Sequence, residues 1–485
     1  SRRVPMNTAF WSATKLLQAL RAKKLGALEL FDLYAARVRE HNRALNAICV
    51  MDLDAGRKSA RAADRAKGKR GPLHGLPMTV KESYDVAGWP TTWGLPEHKG
   101  NIAQADALAV ERLKRAGAIV FGKTNVPVLL ADWQSFNPVY GTTNNPWDLL
   151  RTPGGSSGGS AAALAAGLTG LEMGSDIGAS IRNPAHYCGV YGHKPTWGVC
   201  PTRGHALPGV VMPVDITAIG PLGRSADDLA LALEVTAGPD AIDAAGWRLA
   251  LEKPKLASFR KLRVAVLPSH PTAEVDASVS GALQRLADAL AKKGARVSDK
   301  ARPDFDPDEA HRVYIALLRA TTAGRQLPEH VALWEELSQK RAKTDMSYEA
   351  QAARGNVMRM KEWPAWSNRR HQMRLLWAEF FKEWDVLLCP TAATPAFPQN
   401  QKGERWERMI DVNGKLQPST TQMFWAGYSG MCFLPSTIAP VELAGGKLPV
   451  GVQIVAPQYA DYRSIAVARL IEREYYGFTP PPGYD

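Results

Sequence analysis

The chain is poor in several things a 485-residue protein might have, and each shortage narrows what it can be. Cysteine is scarce and odd in number: Cys49, Cys188, Cys200, Cys389 and Cys432. That density suits free thiols in a reducing, cytoplasmic setting better than a disulfide framework. No uninterrupted apolar run reaches the roughly 18 residues of a membrane span. The N-terminus lacks a basic segment, an apolar stretch and a small-residue cleavage site in sequence, so no secretory leader is read. Ser1–Pro5 precede Met6-Asn7-Thr8, which reads like a natural start, and are expected to be an appended remnant. Acidic residues are outnumbered, 47 against 60 Lys and Arg, for a net charge of +13. The excess is scattered, and its densest run, Arg65–Arg70, reads as a solvated turn with no nucleic-acid-binding consensus beside it.

What is present is an alternation of helical and strand patterns. Leucines spaced through 12–43 predict two amphipathic helices broken near Gly26. Leu76–Val80 reads as a buried strand ending at Lys81. A helix over 105–117, closed by Gly117, leads into a strand over Ala118–Gly122. The rhythm returns at Leu262–Leu267 and again, helix then strand, over 278–298. This is the pattern of an α/β protein. Residues 305–385 read as a mostly helical excursion from the core, rich in tryptophan. No repeat and no long linker divides the chain, so one large domain is expected.

Three segments carry chemistry. Lys81 follows a buried strand, and burial there would lower its pKa and make it a base. Arg151–Ser160 is a glycine-serine loop, flexible by composition, followed by a helical Ala161–Gly167. Gly174–Pro184 is a second glycine-serine turn, whose small residues let backbone N–H groups converge on a developing oxyanion beside Ser180, a nucleophile in need of a base. Gly155-Ser156-Ser157-Gly158-Gly159 formally matches a nucleophile elbow, but Pro153 and Gly154 forbid the strand that an elbow requires. The same loop lacks the lysine and threonine of a phosphate-binding loop. His186, Cys188, His193, Cys200 and His205 are irregularly spaced and contain no C-x-x-C, so no metal is expected.

Together these segments resemble the amidase signature family of serine hydrolases. The likeness continues through Pro184-Ala185, Cys188-Gly189, Gly192–Thr196, Trp384–Thr391 and Leu448–Val455, and covers about residues 12–470. It implies a domain over 6–485, α/β in class, with a mixed twisted central sheet surrounded by helices. It implies a triad of Ser180, Ser156 and Lys81, with a cis Gly155–Ser156 bond. The oxyanion hole would be the N–H groups of Ile177, Gly178, Ala179 and Ser180. The implied reaction is hydrolysis of a small-molecule carboxamide, with ester and carbamate cleavage within the same acyl-enzyme chemistry. No cofactor, nucleic acid or membrane is implied, and the expected state is a monomer or homodimer. Cys188 falls where the family commonly has a structural cysteine. Two positions depart from the family pattern. Ala179 replaces the more usual glycine, which brings strain if φ is positive. Gly430–Phe433 stands where many relatives have Gly-x-Pro-Ala, a segment expected near the acyl pocket. The related amidase component of tRNA amidotransferases typically has a Gly-Tyr-Tyr-Asp-like segment. None occurs in 340–385, where Asp345–Tyr348 is the nearest tyrosine context. A non-catalytic binding protein is disfavoured by the intact Lys81, Ser156 and Ser180.

Overall fold

Eleven strands form one mixed sheet in the computed structural model, which describes residues 4–485. In chain order they are β1 (Ile48–Met51), β2 (Pro77–Lys81), β3 (Ile119–Thr124), β4 (Glu172–Asp176), β5 (Tyr191–Lys194) and β6 (Ala218–Gly223), then β7 (Arg263–Val266), β8 (Arg296–Ser298), β9 (Val386–Cys389), β10 (Ser436–Ala444) and β11 (Leu448–Val455). Across the sheet they lie in the order β1, β3, β2, β4, β6, β5, β10, β11, β9, β7, β8. Strands β3, β2 and β4 are parallel neighbours, as are β9, β7 and β8, and antiparallel pairs fill the middle. Every residue of β2, β4, β5 and β6 is buried, as expected of strands with helices on both faces.

The expected elements are found, with boundaries moved by a few residues. The first two helices are Ala13–Arg21 and Ala27–Leu45, and the helix before β3 is Leu108–Arg115, with Gly117 at φ 99°. Residues 305–385 hold four helices, including α3 (Pro307–Thr322) and α4 (Trp363–Glu383), after α1 (Gly158–Ala165) and α2 (Arg182–Cys188). The two longest of the four bury Tyr314, Leu317, Met373 and Trp377 in the main core, so this segment is woven into the fold. Helix α5 (Met423–Gly430) follows.

The glycine-serine loop is the main departure from the sequence reading. Its composition suggests flexibility, yet Thr152–Ser160 is wholly buried and α1 already begins at Gly158. Glycine serves close packing here. A Cβ on Gly155 would lie 2.3 Å from the Asp132 carbonyl oxygen, and one on Gly159 would lie 2.3 Å from the Asn125 nitrogen. No helix among the described residues is long and apolar enough to cross a membrane. Residues 1–3 of the expected remnant lie outside the described residues, while Val4 packs against the core.

Candidate active site

Register brings the three segments together. Because β2 and β4 are adjacent and parallel, with Val80 opposite Met173, their carboxyl ends open at the same edge. That edge is where open α/β sheets place their sites. Lys81 ends β2, Ser175 and Asp176 end β4, and the loop before α1 descends onto both.

Lys81 is completely buried, and its Nζ lies 2.6 Å from Ser156 Oγ, 2.9 Å from Ser157 Oγ and 2.9 Å from Ser175 Oγ. Among the described residues no carboxylate contacts it, so its surroundings are hydroxyls and one carbonyl, Ser175 O at 3.3 Å. Burial therefore pushes its pKa well below the ordinary 10.5; Asp176 opposes the shift and Arg325 adds to it. The Gly155–Ser156 peptide is cis. The next residue is anchored at both ends: the Ser157 N–H donates to the Ser180 carbonyl at 3.1 Å, and its hydroxyl donates to Ser175 O at 3.3 Å. Ser180 is thus tied to the residue beside Ser156, and Ser156 to Lys81.

The turn carrying Ser180 is held by a buried ion pair. Arg182 grips Asp176 through Nη2–Oδ1 at 2.8 Å and Nε–Oδ2 at 3.0 Å. The same carboxylate accepts the N–H groups of Ala179 at 3.0 Å and Ile181 at 3.1 Å. Burial alone would raise the Asp176 pKa, but Arg182 overrides it and the net shift is downward. From its other side Arg182 reaches Ala426 O in α5 and Gln453 Oε1 in β11, both at 2.9 Å.

Two side chains that sequence reasoning missed set the direction of the remaining donors. The Tyr314 hydroxyl donates to Ile177 O at 2.8 Å, and the Trp133 indole donates to Gly178 O at 2.7 Å. In a trans peptide the N–H points opposite its C=O. Tyr314 therefore turns the Gly178 N–H away from α3, and Trp133 turns the Ala179 N–H toward Asp176. Of the four expected oxyanion donors, Ala179 is already engaged by Asp176, which leaves Ile177, Gly178 and Ser180. Ala179 has φ 73°, the left-handed region, so this departure from glycine carries backbone strain.

Ser180, Ile177 and Gly178 line a cavity of about 590 Å³ whose walls include Trp133, Arg319, Arg325, Trp406 and Met423. The expected pocket segment Gly430–Phe433 is not on this wall. Gly430 faces the Arg182 guanidinium and Phe433 stacks on Trp197 at 5.0 Å, because α5 points its first residues, not its last, at the cavity. Of the tryptophans at 363–384, Trp377 and Trp384 are in the core and none lines the cavity.

The scattered histidines and cysteines go separate ways. His186 Nε2 donates to Thr394 O at 2.9 Å while its Nδ1 accepts from the Gly451 N–H at 2.8 Å, and His193 pairs with Asp461 at 3.0 Å. His205 contacts Ser83 Oγ at 2.8 Å, Cys188 donates to Pro153 O, and Cys200 lies by Thr236. Burial lowers the His186 pKa to about 4, and burial together with Lys81 lowers that of His205 to about 3. No three potential metal ligands gather among the described residues.

Comparison with known proteins places this site in context. The Amidase family model matches residues 29–465. An indoleacetamide hydrolase of Bradyrhizobium diazoefficiens is 34% identical over 472 residues, covering 95% of this chain and 86% of the relative. A component of the glutamyl-tRNA(Gln) amidotransferase of Deinococcus radiodurans is 32% identical over 486 residues, covering 96% of this chain and 97% of the relative. A bacterial aryl acylamidase of the amidase signature family superposes with a TM-score of 0.80 over 96% of each chain, at 24% identity, a likeness of fold.

Proposed function

The chain belongs to the amidase family and is an amide-hydrolysing enzyme; from that premise we propose that it cleaves carboxamides through an acyl-enzyme on Ser180. The observation that carries this reading is the buried Lys81, without a carboxylate and 2.6 Å from Ser156 Oγ. A neutral amine there accepts the Ser156 proton as Ser156 takes that of Ser180. The Ser180 oxygen adds to the substrate carbonyl, and the N–H groups of Ile177, Gly178 and Ser180 receive the oxyanion. On collapse the C–N bond breaks, and the proton returns through Ser156 to the leaving amine. Water then repeats the sequence, releasing the acid and freeing Ser180. Esters, and carbamates with them, fit the same steps. Nothing in the sequence of steps calls on a metal, so chelators are expected to leave the amide rate unchanged, and a loss restored by zinc would contradict the scheme.

A fluorophosphonate probe tests the assignment. Peptide mapping is expected to find the label on Ser180, and Ser180→Ala to abolish both labelling and turnover. A label on Ser157 would overturn the assignment.

The relative from a tRNA amidotransferase supports a second reading, an amidase component working within a complex. The absent Gly-Tyr-Tyr-Asp-like segment weighs for an enzyme active on its own, as monomer or homodimer. Gel filtration of the purified chain, with amide hydrolysis assayed in the eluted peak, separates the two.

A further inference from the structure

Four arginines and four carboxylates line the cavity, but they do not all pair off with one another. Asp132 is held by Arg408 at 2.6 Å. Glu404 lies 3.2 Å from His330, and Asp411 accepts the Gly414 N–H at 2.9 Å. Glu329 is exposed, and Arg405 donates to the Tyr348 hydroxyl at 3.2 Å. Two cations remain. Arg319 is buried, its Nε has no hydrogen-bond partner among the described residues, its Nη2 reaches the Met423 sulfur at 3.8 Å, and its guanidinium lies over the Tyr348 ring at 5.8 Å, so no carboxylate among those residues meets it. Arg325, three residues past the end of α3, lies over the Trp93 ring at 5.4 Å and makes no salt bridge among the described residues. Burial and the nearby Arg319 lower its pKa to about 10, so the two guanidinium groups disfavour one another.

An unpaired guanidinium in a half-enclosed site is unfavourable, and two that share it are more so. Such a pair is stabilised when an anion enters, and the planar fork of arginine matches a carboxylate. We propose that Arg319 and Arg325 form a carboxylate-binding subsite, so that the preferred substrate is an amide bearing a carboxylate. This rests on the reading of Ser180 as the nucleophile. The carboxylate enters on the acyl side in a dicarboxylic acid monoamide, or on the amine side in an N-acyl amino acid.

Matched pairs test it: adipic monoamide against hexanamide, and N-hexanoylglycine against N-propylhexanamide. The anionic member of at least one pair is expected to have a kcat/KM at least about 10-fold higher, and the pair that shows it identifies the side. In Arg319→Met and Arg325→Met that ratio is expected to fall about 10-fold or more, with Arg325→Lys between. The ratio is the readout because Arg325 also acts on Lys81, which serves both substrates alike. A ratio of one or less in both pairs, or a ratio unchanged in both methionine variants, overturns the proposal. Calorimetry with adipate and the Ser180→Ala protein separates the two readings. Binding that weakens in the arginine variants, with no amide cleaved by the parent enzyme, keeps the subsite and removes the reaction. Hydrolysis without adipate binding does the reverse.

Discussion

Lys81 and Arg182 are both fully buried basic side chains, and they flank the same turn. The protein treats them oppositely. Arg182 is given Asp176, two carbonyl-type oxygens beyond it, and keeps its charge. Lys81 is given three hydroxyls and no carboxylate contact, and burial drives it toward the neutral amine. Burial alone does not decide protonation; the partner supplied does. One group is an anchor because its acid holds its charge, and the other suits the proton transfer proposed above because burial weakens its hold on a proton.

The largest effect expected from breaking this contrast is on turnover. Lys81→Arg restores a permanent cation at the base position and should be as inactive as Lys81→Ala, with amide kcat/KM down roughly 10⁴-fold, the scale set by loss of a catalytic base. Activated esters, whose leaving groups need no proton, should lose far less. Rates of both variants on one amide and one ester check this, and substantial amidase activity in Lys81→Arg would remove Lys81 from the base role. In the parent enzyme the amide rate should rise with pH through the lowered Lys81 pKa and then level off. Arg325→Met should move that rise to higher pH, because the Arg325 charge helps keep the amine neutral. A flat profile from pH 5 to 10 contradicts both statements.

Stability sharpens the contrast by changing sign. Arg182→Met leaves Asp176 buried without its partner and should cost about 3–5 kcal/mol. Lys81→Met should instead stabilise the protein at neutral pH, by about 1–2 kcal/mol, as replacing strained active-site groups commonly does. The sign follows from linkage. A Lys81 pKa lower in the fold than in the unfolded chain means that the unfolded chain binds the extra proton. The stability of the parent therefore falls as pH drops from the unfolded pKa toward the folded one. The gain from Lys81→Met should accordingly shrink as pH approaches 10.5. Denaturant melts at pH 7 and pH 10 measure both variants. Destabilisation by Lys81→Met of the same size as Arg182→Met would erase the distinction.

How far the site could be read from sequence follows the same division. Lys81, Ser156 and Ser180 sit in local motifs, so their candidacy was legible, as was the strand that ends at Lys81. The buried state of Thr152–Ser160 was not, because glycine and serine read as flexible until Asp132 and Asn125 are seen pressed against them. Trp133 and Tyr314 escaped because their roles lie in hydrogen bonds to Gly178 and Ile177, 45 and 137 residues away. Arg319 and Arg325 escaped for another reason: an arginine in a helical, basic stretch reads as surface charge. Only the tertiary structure shows that no acid among the described residues meets them.

The smallest effect concerns Ala179, which lies on the turn between the two basic side chains. Its φ of 73° is strained for alanine by about 1–2 kcal/mol, and Ala179→Gly relieves that. The same change removes a buried methyl group, worth about 0.8 kcal/mol. It also loosens the unfolded chain, at a cost of about 0.4–1 kcal/mol. The terms nearly cancel, so the expected change in stability is within about 1 kcal/mol. Activity should change little as well, because the Ala179 N–H is bonded to Asp176 at 3.0 Å rather than directed at substrate. Denaturant midpoints and amide kcat/KM of Ala179→Gly check both parts. A loss of 10-fold or more in kcat/KM without loss of stability would show that the alanine methyl, not the Asp176 clamp alone, sets the position of the Gly178 and Ser180 donors.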